Sequence, residues 1–344
     1  MLLPSRRLEP NEQVVVFPTT GWRDDPSAPW RVRFRGWVFE PEPRSRWRAN
    51  TPKRVAMILS RWLGPHADAE LATQLFRWFL VNHEGGKQID FQIGPHRIAS
   101  PNCLSDGRFS CELELAPSLP SGVHALALAD EENANQLAAP AALTLAESEG
   151  LSIICDIDDT LKKSEVFSRR LLLHNTFYKP WEPVEGMAKW LASWSSAGAT
   201  IHYVSAMPWP LFLAFSAFCR QHDFPVGSVD MRDFRLRDRS IFRFFGSSLP
   251  YKRAKVVTLL QHFPRRKFVL VGDSGENDPE IYGEVARQFP EQVVAIWIRN
   301  LEDKPRSDPR WSAAFGGLSP DLWHLFSNGE DLPTTREGMF AKVG

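Results

Sequence analysis

The chain of 344 residues is 43% hydrophobic, 12% aromatic and 24% charged, a globular composition that excludes disordered and fibrous classes and suggests two domains. Lys plus Arg (41) equals Asp plus Glu (41), so the net charge is zero and bulk electrostatics give no case for a nucleic-acid partner. The four cysteines, Cys103, Cys111, Cys155 and Cys219, form no CxxC pair and read as reduced thiols of a cytoplasmic protein; no apolar leader core at the N-terminus and no apolar run of about 18 residues marks secretion or a membrane span.

Residues 1–147 read mainly as strands. Trp30, Val32 and Phe34 alternate with arginines, and Phe109, Cys111, Leu113 and Leu115 alternate with polar neighbours, both at the strand period of two. Shorter candidates are Val14 to Phe17, Ile89 to Ile93, Val123 to Ala129 and Leu143 to Leu145. One helix interrupts them, with Asp68 as N-cap and Leu71, Leu75, Phe76 and Phe79 on one face. This spacing predicts a β-rich, sandwich-like N-terminal domain.

After Ala146 to Gly150 the pattern becomes alternating buried strands and amphipathic helices, which predicts a mainly parallel α/β sheet over residues 148–330, followed by a C-terminal tail, 331–344. Strand candidates are Leu151 to Ile157, Thr200 to Val204, Phe268 to Val271 and Val293 to Ile298, with a weaker one from Val226 to Val229. The stripes Met187, Trp190, Leu191, Trp194 and Leu211, Phe212, Phe215, Phe218, Cys219 have the spacing of buried helix faces.

Ligands of parallel sheets bind beyond the carboxyl ends of the strands, so the polar residues that follow the apolar runs are the candidates for chemistry. The first run ends in Asp156-Ile-Asp158-Asp159-Thr160, the second in Ser205, and the third in Gly272-Asp273 with Asp278 five residues on; Lys252 and Lys255 open a helix between the last two. Asp156, Asp158 and Asp273 make a hard-oxygen set suited to Mg²⁺, and a hydroxyl and an ammonium complete a set of phosphate partners. Capping of the following helices is the structural alternative, but capping does not call for acids gathered at strand ends.

At these residues the sequence resembles the haloacid dehalogenase-type phosphatases, with DIDDT, Ser205, Lys252 and GDSGEND as the four motifs in order. More narrowly, DIDDTLKKSEV, TFYKPWEPVEGM, YVSAMPWPLF, GSVDMRDF and FPRRKFVLVGDSGENDPEIY are similar to the catalytic domain of the fungal actin-patch phosphatidate phosphatase family, over residues 150 to about 300. The resemblance implies a haloacid dehalogenase-like fold and an Mg²⁺-dependent hydrolysis of a phosphomonoester, phosphatidate to diacylglycerol. It implies that Asp156 attacks phosphorus and forms an aspartyl-phosphate, that Asp158 is the general acid and base, and that Ser205 and Lys252 bind the phosphoryl oxygens. Mg²⁺ would sit on the Asp156 carboxylate, the Asp158 main-chain carbonyl and Asp273, with Asp278 orienting the metal shell or binding through water. Two positions depart from the family: Tyr251 stands where relatives commonly have His, and Ala206-Met207 where they have an Asn-containing pair. Lys255, one turn after Lys252, is the fallback phosphate lysine.

Gly272-Asp-Ser-Gly275 also matches the nucleophile turn of trypsin-like proteases, but no His stands in a motif of that family and Glu276 replaces the usual Gly. Arg232, Arg235, Arg237, Arg239 and Arg243 against Asp233 and Asp238 make a net positive stretch, read either as a contact for anionic lipid headgroups or as an ion-paired loop. The competing functions are a phosphatase for a soluble phosphometabolite or phosphoprotein, and a non-catalytic membrane- or partner-binding protein with a vestigial phosphatase domain. The expected placement is cytoplasmic, peripheral at membranes.

Overall fold

The computed structural model describes residues 7–42, 44–64, 66–233 and 249–334. In the N-terminal region, β-branched and aromatic alternation produces β1 (Gln13–Val16), β2 (Thr19–Trp22) and the long β3 (Trp30–Glu40), in which Trp30, Val32 and Phe34 are buried and Arg31 and Arg33 exposed. Two helices follow, α1 (Arg46–Leu63) and α2 (Ala69–Arg77), then β4 (Asn82–His83), β5 (Asp90–Ile93), β6 (His96–Ala99), β7 (Arg108–Leu115), β8 (Gly122–Leu128) and β9 (Ala141–Ala146). Asp68 caps α2 by accepting from the Glu70 and Leu71 N–H groups, as the sequence predicts. The 18-residue α1 has no counterpart in the sequence reading: an internal Pro52 and a run of cations interrupt its apolar period, and only Pro52, Ala56 and Leu63 are buried.

The nine strands form one hydrogen-bonded sheet in the order β1-β3-β2-β9-β8-β5-β6, with β4 and β7 also paired to β3. It is mixed: β2 and β9 run parallel, while β3 runs antiparallel to β1, β2, β4 and β7. The length of β3 lets it serve several partners at once. Its inward face joins Val14, Phe91, Phe109, Leu126 and Leu143 in one apolar core.

The second region begins with β10 (Leu151–Cys155), followed by α3 (Arg169–Phe177), α4 (Met187–Ser196), β11 (Thr200–Pro208), α5 (Phe212–Gln221), β12 (Ser228–Arg232), α6 (Leu249–His262), β13 (Lys267–Asp273), α7 (Asp278–Gln288), β14 (Val293–Arg299), α8 (Pro309–Phe315) and β15 (Trp323–Phe326). The sheet order is β12-β11-β10-β13-β14-β15, and β10 is parallel to β11 and β13, as β14 is to β13 and β15. Every residue of β10 is buried, which explains its continuous apolar run. Chain order reverses direction across the sheet at β10 and β13, so a crevice opens there at the carboxyl edge.

The chain divides into two compact units, one running to Glu147 together with Pro210–Ala217 and Val226–Ser228, the other from Ser148 onward without those stretches. The sequence reading assigns both stretches wholly to the second domain, whereas they group with the first unit. The tail also begins later than residue 331: Leu332 is buried, and the Pro333 carbonyl accepts from the indole N–H groups of Trp190 (2.9 Å) and Trp194 (3.2 Å) on α4. Arg235, Arg237, Arg239 and Arg243 lie outside the described residues. All four cysteines are free thiols, and among the described residues no helix is long and apolar enough to cross a membrane.

At the amino edge of the parallel sheet, the buried Arg266 donates to Ser152 Oγ (2.9 Å), the carbonyls of Glu149 (2.8 Å) and Leu151 (2.6 Å), and Thr200 Oγ1 (3.0 Å). This clamps the starts of β10 and β11 together. Arg266→Ala removes all four of these hydrogen bonds and is expected to cost about 2–4 kcal/mol of stability, read as an earlier denaturation midpoint. An unchanged midpoint would contradict the clamp.

Candidate active site

Sheet register explains why distant residues meet. Cys155 pairs with Tyr203 on β11 and with Val271 on β13, so Asp156, Ser205 and Asp273 all stand one or two residues past the same rung. The Asp156 N–H donates to the Val271 carbonyl (2.9 Å), which extends the ladder to the nucleophile candidate itself. Lys252, near the start of α6, reaches the same point: its Nζ lies 2.7 Å from Asp156 Oδ1, contacts Asp278 Oδ1, and is 3.8 Å from Glu276 Oε2.

Asp156, Asp273 and Asp278 each present a carboxylate oxygen within 4.8 Å of the others, and all three are buried. Asp273 Oδ1 accepts from the N–H groups of Gly275 (2.6 Å) and Glu276 (3.1 Å), whereas Asp273 Oδ2 is buried with no hydrogen-bond partner. Asp278 Oδ2 folds back to accept from the Asp273 N–H (3.2 Å). That return path needs Gly272, because a Cβ there would stand 2.1 Å from Asp278 Oδ2. An orphaned carboxylate oxygen within a buried all-oxygen cluster fits a hard divalent cation of the Mg²⁺ type.

Burial pushes the Asp156 carboxyl well above the usual carboxylate range; Lys252 opposes the shift and Asp278 adds to it. Burial, reinforced by Asp278 and Asp156, does the same to Asp273, and burial also raises Asp278 against the pull of Lys252. For Lys252, burial alone favours the neutral amine, but Asp156 and Asp278 hold the ammonium well above the ordinary lysine range. The site therefore keeps one fixed positive charge among acids that need a further cation to ionise together.

Asp158 stands apart from this cluster. Its side chain is 13% exposed, and its Oδ1 accepts from Ser164 Oγ (2.6 Å) and lies 3.0 Å from Lys162 Nζ. Lys162 is fully buried, sits over the Trp181 ring at 4.9 Å and donates to Ser164 Oγ (2.5 Å), so the Asp158 carboxylate is held by a packed pair. Ser205 Oγ lies 3.5 Å from Asp158 Oδ2 and accepts from the Met207 N–H (2.9 Å). Met207 thus acts here through its backbone, which any residue at that position supplies. Asp159, at φ 53°, turns the chain and accepts from the N–H groups of Ser164 (2.7 Å), Glu165 (3.0 Å) and Val166 (2.7 Å), fixing the loop after the motif.

Lys255 is not at this point: its Nζ pairs with Asp230 Oδ1 at 3.0 Å, and of the two lysines only Lys252 meets Asp156. Tyr251, the other departure, donates to the Met231 carbonyl at 2.5 Å. Ser274 is buried and its Oγ accepts from the Leu301 N–H (2.9 Å), an anchoring role unlike that of a protease nucleophile. Burial pushes His202 down to about 3, which leaves the imidazole neutral at Ser152 Oγ (3.2 Å), on the amino half of the sheet. Sequence reasoning missed Lys162, Ser164 and the structural use of Asp159, because buried polar groups in a loop carry no periodic signal.

Since burial raises all three cluster carboxyls, protons compete with a metal ion for the same oxygens. Mg²⁺ or Mn²⁺ affinity, measured by calorimetry, should weaken as pH falls from neutral toward the ordinary carboxylate range, with proton release on binding. Asp273→Asn should weaken binding at every pH, and Gly272→Ala should do so by displacing Asp278. Tight, pH-independent binding without proton release would contradict the site.

Residues 151–300 match the family described as phosphatidate phosphatase APP1, catalytic domain. A protein of Schizosaccharomyces pombe printed as uncharacterized is 35% identical over 156 residues, 44% of this chain and 25% of its own length. Phosphatidate phosphatase APP1 of Saccharomyces cerevisiae is 33% identical over 168 residues, 46% of this chain and 28% of its own. The match thus spans only about a quarter of either relative. Among solved structures, D,D-heptose 1,7-bisphosphate phosphatase from B. bronchiseptica, complexed with magnesium and phosphate, overlays 52% of this chain and 94% of its own at 16% identity and a TM-score of 0.30. The corresponding enzyme of Burkholderia thailandensis does so over the same shares at 12% identity and a TM-score of 0.26.

Proposed function

We propose, because residues 151–300 match the phosphatidate phosphatase APP1 catalytic-domain family, that this chain is a haloacid dehalogenase-type phosphatase that hydrolyses a phosphomonoester, phosphatidate, to diacylglycerol. The observation that carries the reading is the buried set of Asp156, Lys252, Asp273 and Asp278 at one strand edge, with Asp158 beside it and partly exposed. A vestigial domain would have no reason to keep this costly arrangement intact.

In this reading Asp156 attacks phosphorus and the ester P–O bond breaks as the aspartyl-phosphate forms, dividing one hard displacement into two. Asp158, protonated, gives its proton to the departing alkoxide; it then takes a proton from the water that attacks the aspartyl-phosphate, releasing inorganic phosphate and restoring Asp156. Lys252 and Ser205 bind phosphoryl oxygens, and Lys162 and Ser164 hold the Asp158 carboxylate through Oδ1, with Oδ2 on the side of Ser205 Oγ. A divalent cation held by Asp156, Asp273 and Asp278 would neutralise the charge of the incoming phosphate dianion.

The phosphatidate reading has local support beyond the motif. The loop fixed by Asp159 runs directly into Phe167 and Leu171, which are 52% and 40% exposed, alongside the exposed Arg169 and Arg170. An apolar pair edged by guanidinium groups next to the site suits a phosphate ester that carries acyl chains. The placement is then peripheral at a membrane surface on the cytoplasmic side.

Asp156→Asn should abolish turnover of p-nitrophenyl phosphate, and Asp158→Asn should lower it by about 10²–10⁴-fold. Near-wild-type rates in either variant with metal present would sink the mechanism. Phe167→Ser with Leu171→Ser should lower kcat/KM on phosphatidate in mixed micelles by about tenfold while sparing the soluble ester. Equal rates on phosphatidate, together with faster turnover of soluble phosphometabolites or a phosphopeptide, would assign the enzyme to a soluble substrate.

A further inference from the structure

Among the described residues, the largest set of exposed large apolar side chains in one element lies on α1. Trp47 is 64% exposed, Ile58 66%, Trp62 55% and Met57 45%. At about 100° per residue, Trp47, Ile58 and Trp62 fall within about 60° of arc, so they form one stripe along the helix. Pro52, Ala56 and Leu63, the buried residues of α1, point to the other side. Arg54 and Arg61 flank the stripe, and Arg46, Arg48 and Lys53 bring the helix to five cations with no acidic residue. In a chain of zero net charge this is a strong local excess.

The composition of this face decides what covers it. A core-forming helix hides its tryptophans, and a solvated helix pairs its cations with acids at i,i+4. Here two indoles stand near opposite ends of an apolar stripe along an 18-residue helix about 27 Å long, with guanidinium groups beside them. Tryptophan rings settle at the level of lipid headgroups, and arginines beside them meet lipid phosphates while their stems stay in the apolar layer. We propose that α1 is an interfacial helix that lies in the plane of an anionic bilayer, with Trp47, Ile58 and Trp62 inserted at the acyl boundary and Arg54 and Arg61 on the headgroups. The helix thereby supplies the peripheral attachment that an enzyme acting on a lipid-borne phosphate requires, but its chemistry is that of any anionic lipid and does not depend on turnover.

The test uses the full chain and phosphatidylcholine vesicles with or without phosphatidylserine, and no phosphatidate, so that attachment and substrate are read separately. Cosedimentation should occur on the phosphatidylserine vesicles and fall with added salt, because the attraction is screened over about 8–10 Å. Trp47→Ser with Ile58→Ser and Trp62→Ser should weaken binding by about tenfold or more, and Arg54→Gln with Arg61→Gln should weaken it and flatten the salt dependence. Both variants should keep wild-type circular dichroism and turnover of p-nitrophenyl phosphate. The proposal is overturned if the wild-type chain fails to bind these vesicles, or if the folded serine variant binds as the wild type does. A concentration-dependent dimer that the serine variant abolishes, with vesicle binding unchanged, would assign the stripe to a second copy of the chain and equally overturn it. Loss of p-nitrophenyl phosphate turnover in Asp158→Asn tests the phosphatase reading alone, since that residue is not on α1.

Discussion

Three buried carboxylates share their strand edge with one buried ammonium, and this imbalance governs the rest of the site. Asp156, Asp273 and Asp278 against Lys252 leave an excess of two negative charges when all are ionised, within a span of 4.8 Å. Such a cluster is expensive to dehydrate, and it is relieved either by proton uptake or by a divalent cation. The raised carboxyls describe the first route, and the orphaned Asp273 Oδ2 leaves a place for the second. In the proposed reaction this imbalance would also serve charge matching: a cation bound there would place positive charge where a phosphate dianion is to be held.

Everything nearby serves to hold that cluster still. Parallel register brings β10, β11 and β13 to a common edge, and the Arg266 clamp ties β10 to β11 at the opposite end. The loop after β13 is fixed by two N–H groups on Asp273 Oδ1 and by Arg310, which donates to the Glu276 carbonyl (2.6 Å) and pairs with Glu280 (2.9 Å). The loop after β10 is fixed by Asp159 on one side and by Arg299, which donates to the Asp159 carbonyl (2.8 Å), on the other. Rigid strand ends with doubly anchored loops are what positional precision in phosphoryl transfer demands.

How much of this is legible in sequence follows from the kind of signal each part leaves. The buried strands β10, β13 and β14 announce themselves as unbroken apolar runs, and the acids after them are conspicuous because parallel sheets put chemistry there. Lys252 and Lys255 are three residues apart on one helix, and only the rotation of α6 about its axis, a matter of packing, turns the first to Asp156 and the second to Asp230. Lys162 and Ser164 lie in a loop whose sequence is merely polar; their burial comes from Trp181 and from contacts that no local pattern encodes. In the N-terminal region alternation gives the strands but not their partners, so the mixed pairing around β3 is not legible in the sequence. The helix α1 escapes notice because the internal Pro52 and the cations among its apolar residues break the period by which surface helices are recognised.

The central claim is that Asp156 carries the phosphoryl group. Rapid acid quench of the full chain during turnover of p-nitrophenyl phosphate with Mg²⁺, followed by peptide mass spectrometry, reads it directly. The account predicts phosphate on the peptide that contains Asp156, absent in Asp156→Asn. Sustained turnover with no phosphopeptide, or with the phosphate on a peptide lacking Asp156, would contradict it.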